Sequence, residues 1–548
     1  MTRRAYETSS TDRVFENGIW KGPVTIPPDD YFKYGEKLLE IMRENSSLIG
    51  QIDAITGEQR TFGDMADRSI RCALWLKSQG VKPSDIIGLS TGNHLDAILP
   101  IISSLLIGSI INPWWDDLTE EELIKYFIDL TQTKIVFISE ANAKLMKKVV
   151  DKIQVKITII VFGKVDGFTS FEEIIAIQKS QEVLNFKCTE IQSPDQPAII
   201  LYTSGTTGNP KGVVLAYKTL GNNRPFIPVE EIRKMTGINF STVAWISGVM
   251  LPLTAIEAGA KMIIFYGISE PESFQLIDKY KAQWITMGTG VANRMSKDET
   301  IGKHTYPSVK WITFGGACVK KRVVDFLKRV YPNARICQAY GSTESGGPVT
   351  CSSSDDHPDS CGKAVKNMEI KIVDEDGNIV LKPNVEGELC MRSSTMMISY
   401  YKNPQATAAA VDSDGWFHSG DLGHYNENGE FFITDRIREL IKYRLHHVPP
   451  APIEEVIQKN HPGVYEVAVV RKPHNEDVEQ PMAFVIKMPG VNVTEEEIID
   501  IVDKNMSERF KLRGGVKFVN DLPRTSSGKV AKKILRDMAI KIALEESK

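Results

Sequence analysis

The chain has 548 residues, more than one hydrophobic core supports, so two or more domains are expected. Hydrophobic residues make up 42% and charged residues 25%, a composition typical of a globular protein. The 66 basic and 70 acidic residues nearly balance, and no basic arm or patch stands out, which argues against nucleic acid as the main partner.

The first strongly apolar stretch runs from Ala97 to Ile111 and is interrupted by proline, serine and glycine. It is too short for a membrane span, which takes about 20 apolar residues, so a buried helix is predicted. Short β-branched runs separated by helical patterns follow, and they predict βαβ units with mainly parallel sheets. These runs are Ile135–Ile138, Ile157–Phe162, Ala198–Leu201, Met262–Phe265, Trp284–Thr286 and Val309–Phe314.

The pattern changes between about residues 362 and 435. Ile370–Val373 and Ile379–Leu381 flank a polar, glycine-containing stretch and predict a hairpin, and Gly387–Arg392 and Glu430–Ile433 add strands. We expect a small, distorted, β-barrel-like region there. It would close a large N-terminal domain, residues 1–435, that also contains two α/β subdomains.

A compact α+β domain is predicted for residues 436–548, an ordinary domain size. Its predicted elements are a helix at Ala451–Lys459, strands at Val467–Val470 and Ala483–Ile486, a helix at Glu495–Met506 and a strand at Val516–Val519. The predicted fold class is therefore α/β, with a smaller α+β domain at the C-terminal end.

The termini and the cysteines bear on location. Met1-Thr2-Arg3-Arg4 leads into polar residues, so no secretory signal is expected. The end, Glu546-Ser547-Lys548, is one leucine short of the peroxisomal Ser-Lys-Leu address, so we expect a cytoplasmic location, or a peroxisomal one if a leucine follows. The seven cysteines form no Cys-x-x-Cys pair, which predicts reduced thiols and no metal site through cysteine.

A loop rich in hydroxyls and glycine follows the apolar run Ala198–Leu201. Residues 202–212 read Tyr-Thr-Ser-Gly-Thr-Thr-Gly-Asn-Pro-Lys-Gly, in which glycines allow backbone N–H groups to approach a phosphate, hydroxyls donate and lysine adds charge. It is not a Walker A loop, because Pro210 precedes Lys211. A flexible surface linker is the alternative. The candidate phosphate-binding residues are Thr203, Ser204, Gly205, Thr206, Thr207, Gly208 and Lys211.

A second motif, Gln338-Ala339-Tyr340-Gly341-Ser342-Thr343-Glu344, follows a strand-like run. A tyrosine in such a loop can stack on a purine, a threonine hydroxyl can bind phosphate, and a carboxylate can hold Mg²⁺. Taken alone the motif is weak, because Tyr340 could belong to the core. Its candidates are Gln338, Tyr340, Gly341, Ser342, Thr343 and Glu344.

Three further motifs lie towards the C-terminus. Gly415–Asp421 ends in an aspartate that can accept ribose hydroxyls, or that simply caps a turn. Asp435-Arg436-Ile437-Arg438 reads most simply as a salt-bridged surface turn. Arg524–Lys529 contains a Ser-Ser-Gly turn that presents Lys529 on a shaped loop, although lysines near a C-terminus are usually solvated.

Together, these five ordered motifs resemble the adenylate-forming enzymes, which include acyl-CoA synthetases, peptide-synthetase adenylation domains and insect luciferases. The resemblance runs from Phe62-Gly63-Asp64 to Lys529 and is strongest to insect acyl-CoA synthetases, beetle luciferases and coumarate–CoA ligases. It implies the following roles: adenine contacts for Tyr340, Gly315, Gly316 and Ala317, phosphate for Thr343, Mg²⁺ for Glu344, ribose for Asp421, a nucleotide contact for Arg436, and catalysis for Lys529.

The resemblance also implies a mechanism. A small-molecule carboxylic acid attacks ATP to give an acyl-adenylate and pyrophosphate, with Mg²⁺ and Lys529 balancing charge. The mobile small domain then rotates about Asp435-Arg436 and presents a second face that carries Lys442, where coenzyme A attacks.

Some positions depart from the family pattern. Leu445 stands where acyl-CoA synthetases have a glycine beside the pantetheine arm, which counts against coenzyme A transfer. Trp245 replaces a beetle luciferase His-His-Gly-Phe run, which counts against light emission of the beetle type. Gly288 stands where relatives often have proline. With Ser247, these residues are the candidate acyl-pocket residues Trp245, Ser247, Gly288 and Leu445.

Three functions remain in competition at this point. The leading one is an ATP-dependent carboxylate–CoA ligase. The second is a luciferase-like monooxygenase in which the adenylate meets O₂ instead of coenzyme A. The third is a non-catalytic nucleotide-binding protein, which the presence of Lys211, Glu344, Asp421 and Lys529 disfavours. The sequence indicates neither the acid nor the oligomeric state.

Overall fold

The computed structural model describes residues 7–10, 13–116, 118, 120–203, 209–221, 227–316, 321–353, 355–444, 446–524 and 529–546. The chain divides into two compact units. The first comprises Met1–Ile370 with Met391–Phe417, and the second comprises Lys371–Cys390 with His418–Lys548. The predicted boundary at residues 435 and 436 stays a prediction.

The described residues of the first unit form two large sheets. In the first sheet the apolar runs pair in parallel, and antiparallel strands form one edge. Across this eight-stranded sheet the order is Thr169–Ser170, Thr158–Phe162, Ile135–Ser139, Ile86–Ser90, Ile110–Pro113, Pro197–Thr203, Lys211–Ala216 and Ser399–Tyr400. Nearly continuous burial of such strands is the signature of a sheet covered by helices on both faces.

The second sheet has nine strands, with parallel pairing at its centre and antiparallel pairing at both edges. Their order is Lys363–Ala364, Gly347–Cys351, Arg335–Ser342, Trp311–Gly315, Trp284–Gly288, Thr236–Asn239, Lys261–Ile264, Ile49–Asp53 and Gln59–Thr61. Its core contains Ile238, Ile285, Ile312 and Phe314 from the strands, packed against Phe274, Val323 and Leu327 from helices. The predicted βαβ organisation is confirmed.

Helices and short strands complete the first unit. Several helices begin at a side-chain cap, as where Thr61 and Asp64 form a reciprocal capping box before Phe62–Ser78. The helices are Tyr34–Glu44, Phe62–Ser78, Leu99–Ile107, Glu121–Thr131, Glu140–Ile153, Phe171–Ala176, Ser180–Leu184, Tyr217–Gly221, Ile246–Ala258, Glu270–Lys279, Thr289–Met295, Glu299–Gly302, Lys321–Val330 and Pro404–Ala410. The N-terminal strands are Glu7–Ser10, Val14–Glu16, Ile19–Lys21 and Val24–Ile26.

The second unit contains an antiparallel β region and an α+β module. Strands Phe417–Tyr425 and Phe431–Arg436 pair in the β region, next to Gly387–Arg392. Glu369–Val373, Gly387–Arg392 and Phe417–Tyr425 each contain residues of both units. The module consists of Ile437–Glu439, Ile441–Tyr443, His446–Val448, Pro450–Asn460, Val464–His474, Val478–Lys487, Glu495–Asn505, Glu508–Phe510, Val516–Phe518 and Lys532–Glu546.

The long antiparallel pair Val464–His474 and Val478–Lys487 is covered on both faces. Val467 and Val469 face a core shared with helices Pro450–Asn460 and Glu495–Asn505. Ala468 and Val470, which alternate with them, face a core shared with helix Lys532–Glu546. This period of two explains why the run Val467–Val470 is apolar at every position.

Two predicted elements are wrong in part. The helix predicted across Ala97–Ile111 ends at Ile107, because Gly108 adopts a left-handed conformation at its C-cap, and Ile110–Pro113 is a buried strand. The hairpin predicted after Ile370 has a hydrogen-bonded turn, because the Asp374 N–H donates to the Asn378 carbonyl and the Val380 N–H to the Ile372 carbonyl, both at 2.9 Å. Its second arm, however, is not a regular strand and contributes an isolated antiparallel bridge from Ile379 to Val373. Within the described ranges, no helix combines the length and the apolar character that a membrane crossing needs.

The prediction of reduced thiols is wrong for one pair. Cys337 and Cys351 form a disulfide with Cα atoms 6.2 Å apart. They lie on the adjacent antiparallel strands Arg335–Ser342 and Gly347–Cys351, so the turn between the strands brings together two cysteines 14 residues apart. A search for close Cys-x-x-Cys spacing does not detect such a cross-strand pair.

Candidate active site

Three of the predicted site segments lie at one edge of the nine-stranded sheet. Asn239 pairs with Thr286, Gly288 pairs with Gly315, and Gly315 pairs with Ala339, so four parallel strands end side by side. Ligands of open α/β sheets bind at this carboxyl edge. The register therefore brings Gly288, Gly315 and Tyr340 to a common edge.

The glycines at this edge differ in what the backbone demands. A Cβ at Gly315 would lie 2.7 Å from the Ala339 carbonyl oxygen, and one at Gly341 would lie 2.5 Å from the Gly347 carbonyl oxygen. Gly316 has a φ of 101°, which side chains rarely tolerate. A Cβ at Gly288 would meet nothing within 4 Å. Three of these glycines are thus required by the backbone, and Gly288 leaves space.

Two predicted pocket residues begin the helix that follows strand Thr236–Asn239. Trp245 is the half-buried N-cap of helix Ile246–Ala258. The Ser247 hydroxyl in its first turn donates a hydrogen bond to the Ser241 hydroxyl at 2.8 Å. Both residues therefore lie beyond the carboxyl end of a strand in the same sheet as Gly288.

The strand Arg335–Ser342 carries the second motif into a tight turn. The Gly346 N–H donates to the Thr343 carbonyl at 3.0 Å, and the Ser342 N–H donates to the Ser345 hydroxyl at 3.0 Å. Tyr340 and Thr343 are half-buried, whereas Gln338 is only 3% exposed. The Gln338 Oε1 atom is buried and accepts no hydrogen bond from the described residues. Gln338 and Tyr340 point to the same face of the strand because they are two residues apart.

Glu344 and Lys211, from two different motifs, meet at Tyr400. The Tyr400 hydroxyl donates to Glu344 Oε1 at 2.9 Å, and Lys211 Nζ lies 4.7 Å from the centroid of the Tyr400 ring. Glu344 is 8% exposed, and its carbonyl accepts the Met397 N–H at 2.9 Å. We call Lys211, Glu344 and Tyr400 the tyrosine cluster. Lys211, a candidate phosphate-binding residue, and Glu344 therefore both contact one aromatic residue.

Strand pairing positions the loop end of this cluster. Thr203 ends strand Pro197–Thr203 and pairs with Lys211 across the antiparallel ladder, so the loop between them begins and ends at one place. The Tyr126 hydroxyl donates to the Pro210 carbonyl at 2.7 Å and holds the loop close to its end. Burial, and then the Glu344 carboxylate, raise the pKa of Tyr400, so its hydroxyl remains a donor.

The second unit gathers four other charged groups. Asp421 pairs with Arg436 across the ladder, and Arg436 Nε lies 2.6 Å from Asp421 Oδ1. Lys529 is exposed as a whole residue, but its ammonium lies among neighbouring groups, and this burial lowers its pKa to about 8. Arg436 and Arg438 lower the pKa of Lys529 further, and Asp421 raises it. Burial and Arg436 also lower the pKa of Arg438. We call Arg436, Arg438, Lys529 and Asp421 the cation cluster.

The predicted hinge aspartate has a structural role in the second unit. Asp435 accepts the Arg436 N–H at 2.7 Å with one oxygen and the Ala451 N–H at 2.9 Å with the other. Ala451 lies in the first turn of helix Pro450–Asn460, where a carboxylate offsets N–H groups that lack a partner in the helix. Burial is the main cause of the raised pKa of Asp435.

Lys442 lies on the short hairpin Ile441–Tyr443 and His446–Val448. Its side chain is exposed, and its N–H donates to Glu479 Oε2 at 2.8 Å. Tyr443 pairs with His446, which leaves a two-residue connection, and Arg444 in it has a φ of 53°. Arg444 Nε also lies 2.6 Å from Asp477 Oδ1.

Some predicted residues lie outside the described residues: Ser204, Gly205, Thr206, Thr207, Gly208, Ala317 and Leu445. The ligand roles assigned to the described residues stay predictions.

Sequence reasoning missed two residues of these clusters. Tyr400 belongs to no motif, and its only signal is the short run Ser399-Tyr400-Tyr401 before a helix. Arg438 stands in the Asp435–Arg438 motif, but only Arg436 was selected there. A second arginine two residues further along the chain was the available signal.

Comparisons with known proteins agree with this organisation. Residues 46–401 match the family described as AMP-binding enzyme, and residues 453–529 match the AMP-binding enzyme C-terminal domain. Luciferin 4-monooxygenase of Photinus pyralis is 30% identical over 95% of this chain and 97% of its own length. 4-Coumarate–CoA ligase 2 of Nicotiana tabacum is 29% identical over 97% of this chain and 98% of its own length.

The solved structures show the same fold at lower identity. ATP-bound MatB from Rhodopseudomonas palustris superposes with a TM-score of 0.83 and 22% identity, covering 93% of this chain and 99% of that one. The two family matches, to residues 46–401 and 453–529, together extend over most of the chain. The chain therefore belongs to the AMP-binding, adenylate-forming enzyme family.

Proposed function

We propose that the protein activates a small carboxylic acid with ATP and then transfers the acyl group to coenzyme A. In the first step a carboxylate oxygen forms a bond to the α-phosphorus of ATP, and the bond to pyrophosphate breaks. In the second step the thiol of coenzyme A forms a thioester and AMP leaves.

The tyrosine cluster is the observation that carries this proposal. A loop of the phosphate-binding type ends at Lys211, and Lys211 lies over the ring of the same Tyr400 whose hydroxyl binds Glu344. The residues proposed to bind phosphate and metal therefore both contact Tyr400, although the three residues come from distant parts of the sequence. If Lys211 were only a surface lysine and Glu344 only a buried structural residue, no contact of both with the same tyrosine would be expected.

The donor set near Glu344 suits magnesium. Mg²⁺ prefers carboxylate oxygens and keeps several waters, so one nearly buried carboxylate beside a phosphate site is a fitting ligand. When bound there, the ion would neutralise charge on the phosphates and on the departing pyrophosphate. Tyr400 would keep the Glu344 side chain in position, because its hydroxyl is held as a donor.

The cation cluster suits an anionic substrate. Arg436, Arg438 and Lys529 outnumber the carboxylates of Asp421 and Glu439, the second of which lies 3.4 Å from Arg438 Nε. Burial is the main cause of the lowered pKa of Lys529, and repulsion by the two arginines adds to it. A phosphate or carboxylate oxygen would relieve that repulsion, and the lysine would stabilise charge that develops as the α-phosphorus is attacked. Asp421, held by Arg436, would accept hydrogen bonds from the ribose hydroxyls.

The nine-stranded sheet offers a place for adenine. Tyr340 would stack on the purine, and the buried Gln338 Oε1 on the same strand face would accept a hydrogen bond from its amino group. Gly315 and Gly316 would allow the ring edge to approach the backbone. The acid would occupy the adjoining space beside Gly288, with Trp245 and Ser247 at its border.

A luciferase-like monooxygenase is the second candidate, in which the adenylate reacts with O₂. Leu445 favours it, because a leucine replaces the glycine beside which the pantetheine arm passes in acyl-CoA synthetases. The similarity to the luciferin 4-monooxygenase of Photinus pyralis supports the same candidate. Trp245 counts against emission of the beetle type.

Pyrophosphate release with a panel of fatty, aromatic and heterocyclic acids tests the first step. We expect acid-dependent release that needs Mg²⁺ and falls about 10²- to 10³-fold in Lys529→Ala, the loss typical of one removed transition-state donor. Lys533→Ala, an exposed lysine on helix Lys532–Glu546, is the matched control. ATP binding without release from any acid would instead support a non-catalytic binder.

The same panel with coenzyme A tests the second step. A thioester detected by mass spectrometry supports the ligase. Photons with O₂ and no thioester support the monooxygenase.

A further inference from the structure

Three metal-ligand side chains converge in the β region of the second unit. Glu388 and Cys390 are two residues apart on strand Gly387–Arg392, so they share one face of it, and His418 lies on the neighbouring strand Phe417–Tyr425. His418 Nδ1 lies 2.8 Å from Glu388 Oε2 and 3.5 Å from Cys390 Sγ. The three ligand atoms all lie within 4.8 Å of one another. We call these residues the thiol–imidazole–carboxylate cluster.

These distances suit a small tetrahedral ion. Zinc bonds of about 2.0–2.3 Å at tetrahedral angles separate neighbouring ligand atoms by about 3.3–3.6 Å. The sulfur–nitrogen distance already has that value, and the nitrogen–oxygen distance is that of a hydrogen bond, which would open by about half an ångström around an ion. The three residues would therefore bind a metal with side-chain adjustments alone.

Burial of the cluster leaves an entry route. Cys390 is fully buried, whereas the side chains of Glu388 and His418 are 22% and 34% exposed. An ion could thus arrive from the side of the carboxylate and imidazole, and water could supply a fourth ligand there. The thiol would form the closed side of the site, shielded from bulk solvent.

From this arrangement we propose that Glu388, Cys390 and His418 form a binding site for a divalent cation of the zinc type. A sulfur and an imidazole nitrogen select a borderline or soft ion over Mg²⁺ or Ca²⁺, which prefer oxygen ligands. The ion would bind the Cys390 thiolate, and the thiol proton would pass to solvent. This site is separate from the magnesium role assigned to Glu344, and it does not depend on the proposed function.

The second oxygen of Glu388 connects this site to the ribose motif. Glu388 Oε1 accepts the Gly420 N–H at 2.9 Å, directly before Asp421. A cation on Oε2 would leave this bond in place, so the carboxylate would bridge the ion and the Gly420 backbone. Hydrogen-bond partners of metal ligands, here the Gly420 N–H, orient the ligands, and their loss commonly changes metal affinity about 10- to 100-fold.

Cobalt binding to the chelator-treated, full-length protein tests the proposal, because a thiolate bound to Co²⁺ gives a charge-transfer absorption in the near ultraviolet. We expect this band to saturate at one Co²⁺ per chain and to disappear when Zn²⁺ is added. Cys390→Ser should abolish the band. His418→Gln and Glu388→Gln should weaken Co²⁺ affinity about tenfold or more.

Controls exclude other thiols and unfolded protein. Cys188→Ser removes a half-buried thiol of the first unit and should leave the cobalt band unchanged. Each variant is melted without metal to verify folding, and Zn²⁺ should raise the Tm of the wild type but not that of His418→Gln. If Cys390→Ser does not fold, the other two variants decide the matter. The proposal is overturned if no thiolate–cobalt band forms, if the band survives Cys390→Ser, or if the His418 and Glu388 variants bind Co²⁺ like the wild type.

Discussion

Tyr400 and Glu344 lie 56 residues apart in the chain and are joined by a hydrogen bond of 2.9 Å. Tyr400 ends a two-residue edge strand of the eight-stranded sheet, where its neighbour is the strand that begins with Lys211. Glu344 lies in the turn that follows a strand of the nine-stranded sheet. The bond therefore ties the proposed metal ligand in one sheet to the phosphate-loop strand in the other.

Removing only the Tyr400 hydroxyl should weaken magnesium binding. In Tyr400→Phe the ring beneath Lys211 remains, but Glu344 loses a donor that orients its carboxylate. A hydrogen bond to a charged group contributes about 1.5 kcal/mol or more, so we expect about tenfold more Mg²⁺ to be needed for half-maximal pyrophosphate release. Tyr401→Phe, at the adjacent position, is the control and should behave like the wild type. An unchanged Mg²⁺ requirement in Tyr400→Phe would contradict the positioning role.

The depressed pKa of Lys529 predicts an alkaline limit to adenylation. A lysine of ordinary pKa stays charged to about pH 10. Because the pKa here is lowered to about 8, the free protein loses the ammonium as the pH rises through 8. The kcat/KM for pyrophosphate release should therefore fall above that pH, since this parameter reports groups of the free enzyme.

Arg438 supplies a test of the cause of that limit. In Arg438→Met one repelling cation is gone, so the charged form of Lys529 is less disfavoured and its pKa rises. The alkaline limb of the profile should then move to higher pH. Lys533→Met removes a positive charge elsewhere on the same C-terminal segment and should not move it. A limb that stays in place in Arg438→Met would contradict the contribution of Arg438 to the lowered pKa of Lys529.

Two glycines at the ends of paired strands, Gly315 and Gly288, should differ in how much stability the protein loses when each is replaced by alanine. In Gly315→Ala the new Cβ meets the Ala339 carbonyl oxygen at 2.7 Å, so the backbone must shift. We expect a loss of about 1–3 kcal/mol in the free energy of unfolding, with weaker ATP binding.

In Gly288→Ala the methyl group enters open space, so stability should change little. Because Gly288 borders the proposed acid site, its variant should change the ranking of acids. Denaturant unfolding and the acid panel measure both effects. Equal destabilisation of the two variants would contradict this assignment.

Features of the fold that depend on residues close together in the sequence could be predicted from the sequence alone. The apolar runs became buried parallel strands, since a strand covered on both faces needs apolar residues at every position. The motifs rich in glycine and hydroxyl residues directly follow such apolar runs, so their position at strand ends is also predicted from neighbouring residues. Apolar composition alone predicts a helix that is too long in the first unit. Gly108 ends helix Leu99–Ile107, and the chain continues as strand Ile110–Pro113.

Contacts between side chains on neighbouring strands could not be predicted from the sequence. The Cys337–Cys351 disulfide, the Tyr400–Glu344 hydrogen bond and the meeting of Cys390 with His418 all depend on which strands are neighbours and in what register. Spacing along the chain carries no such information for partners 14, 56 or 28 residues apart. The motif residues themselves were found from the sequence, and the side chains that hold them in place came from the fold.

We predict that Leu445 governs which recipient takes the activated acid. In the sequence it stands where acyl-CoA synthetases have a glycine beside the pantetheine arm. Leu445→Gly should therefore raise thioester formation severalfold and leave pyrophosphate release nearly unchanged. Leu445→Ala should lie between the two, because the obstruction would scale with side-chain size. Thioester formation with saturating coenzyme A, followed by mass spectrometry, measures the series beside pyrophosphate release from the same preparations. A parallel loss of both activities would place Leu445 in the fold of the hairpin rather than in the path of the thiol.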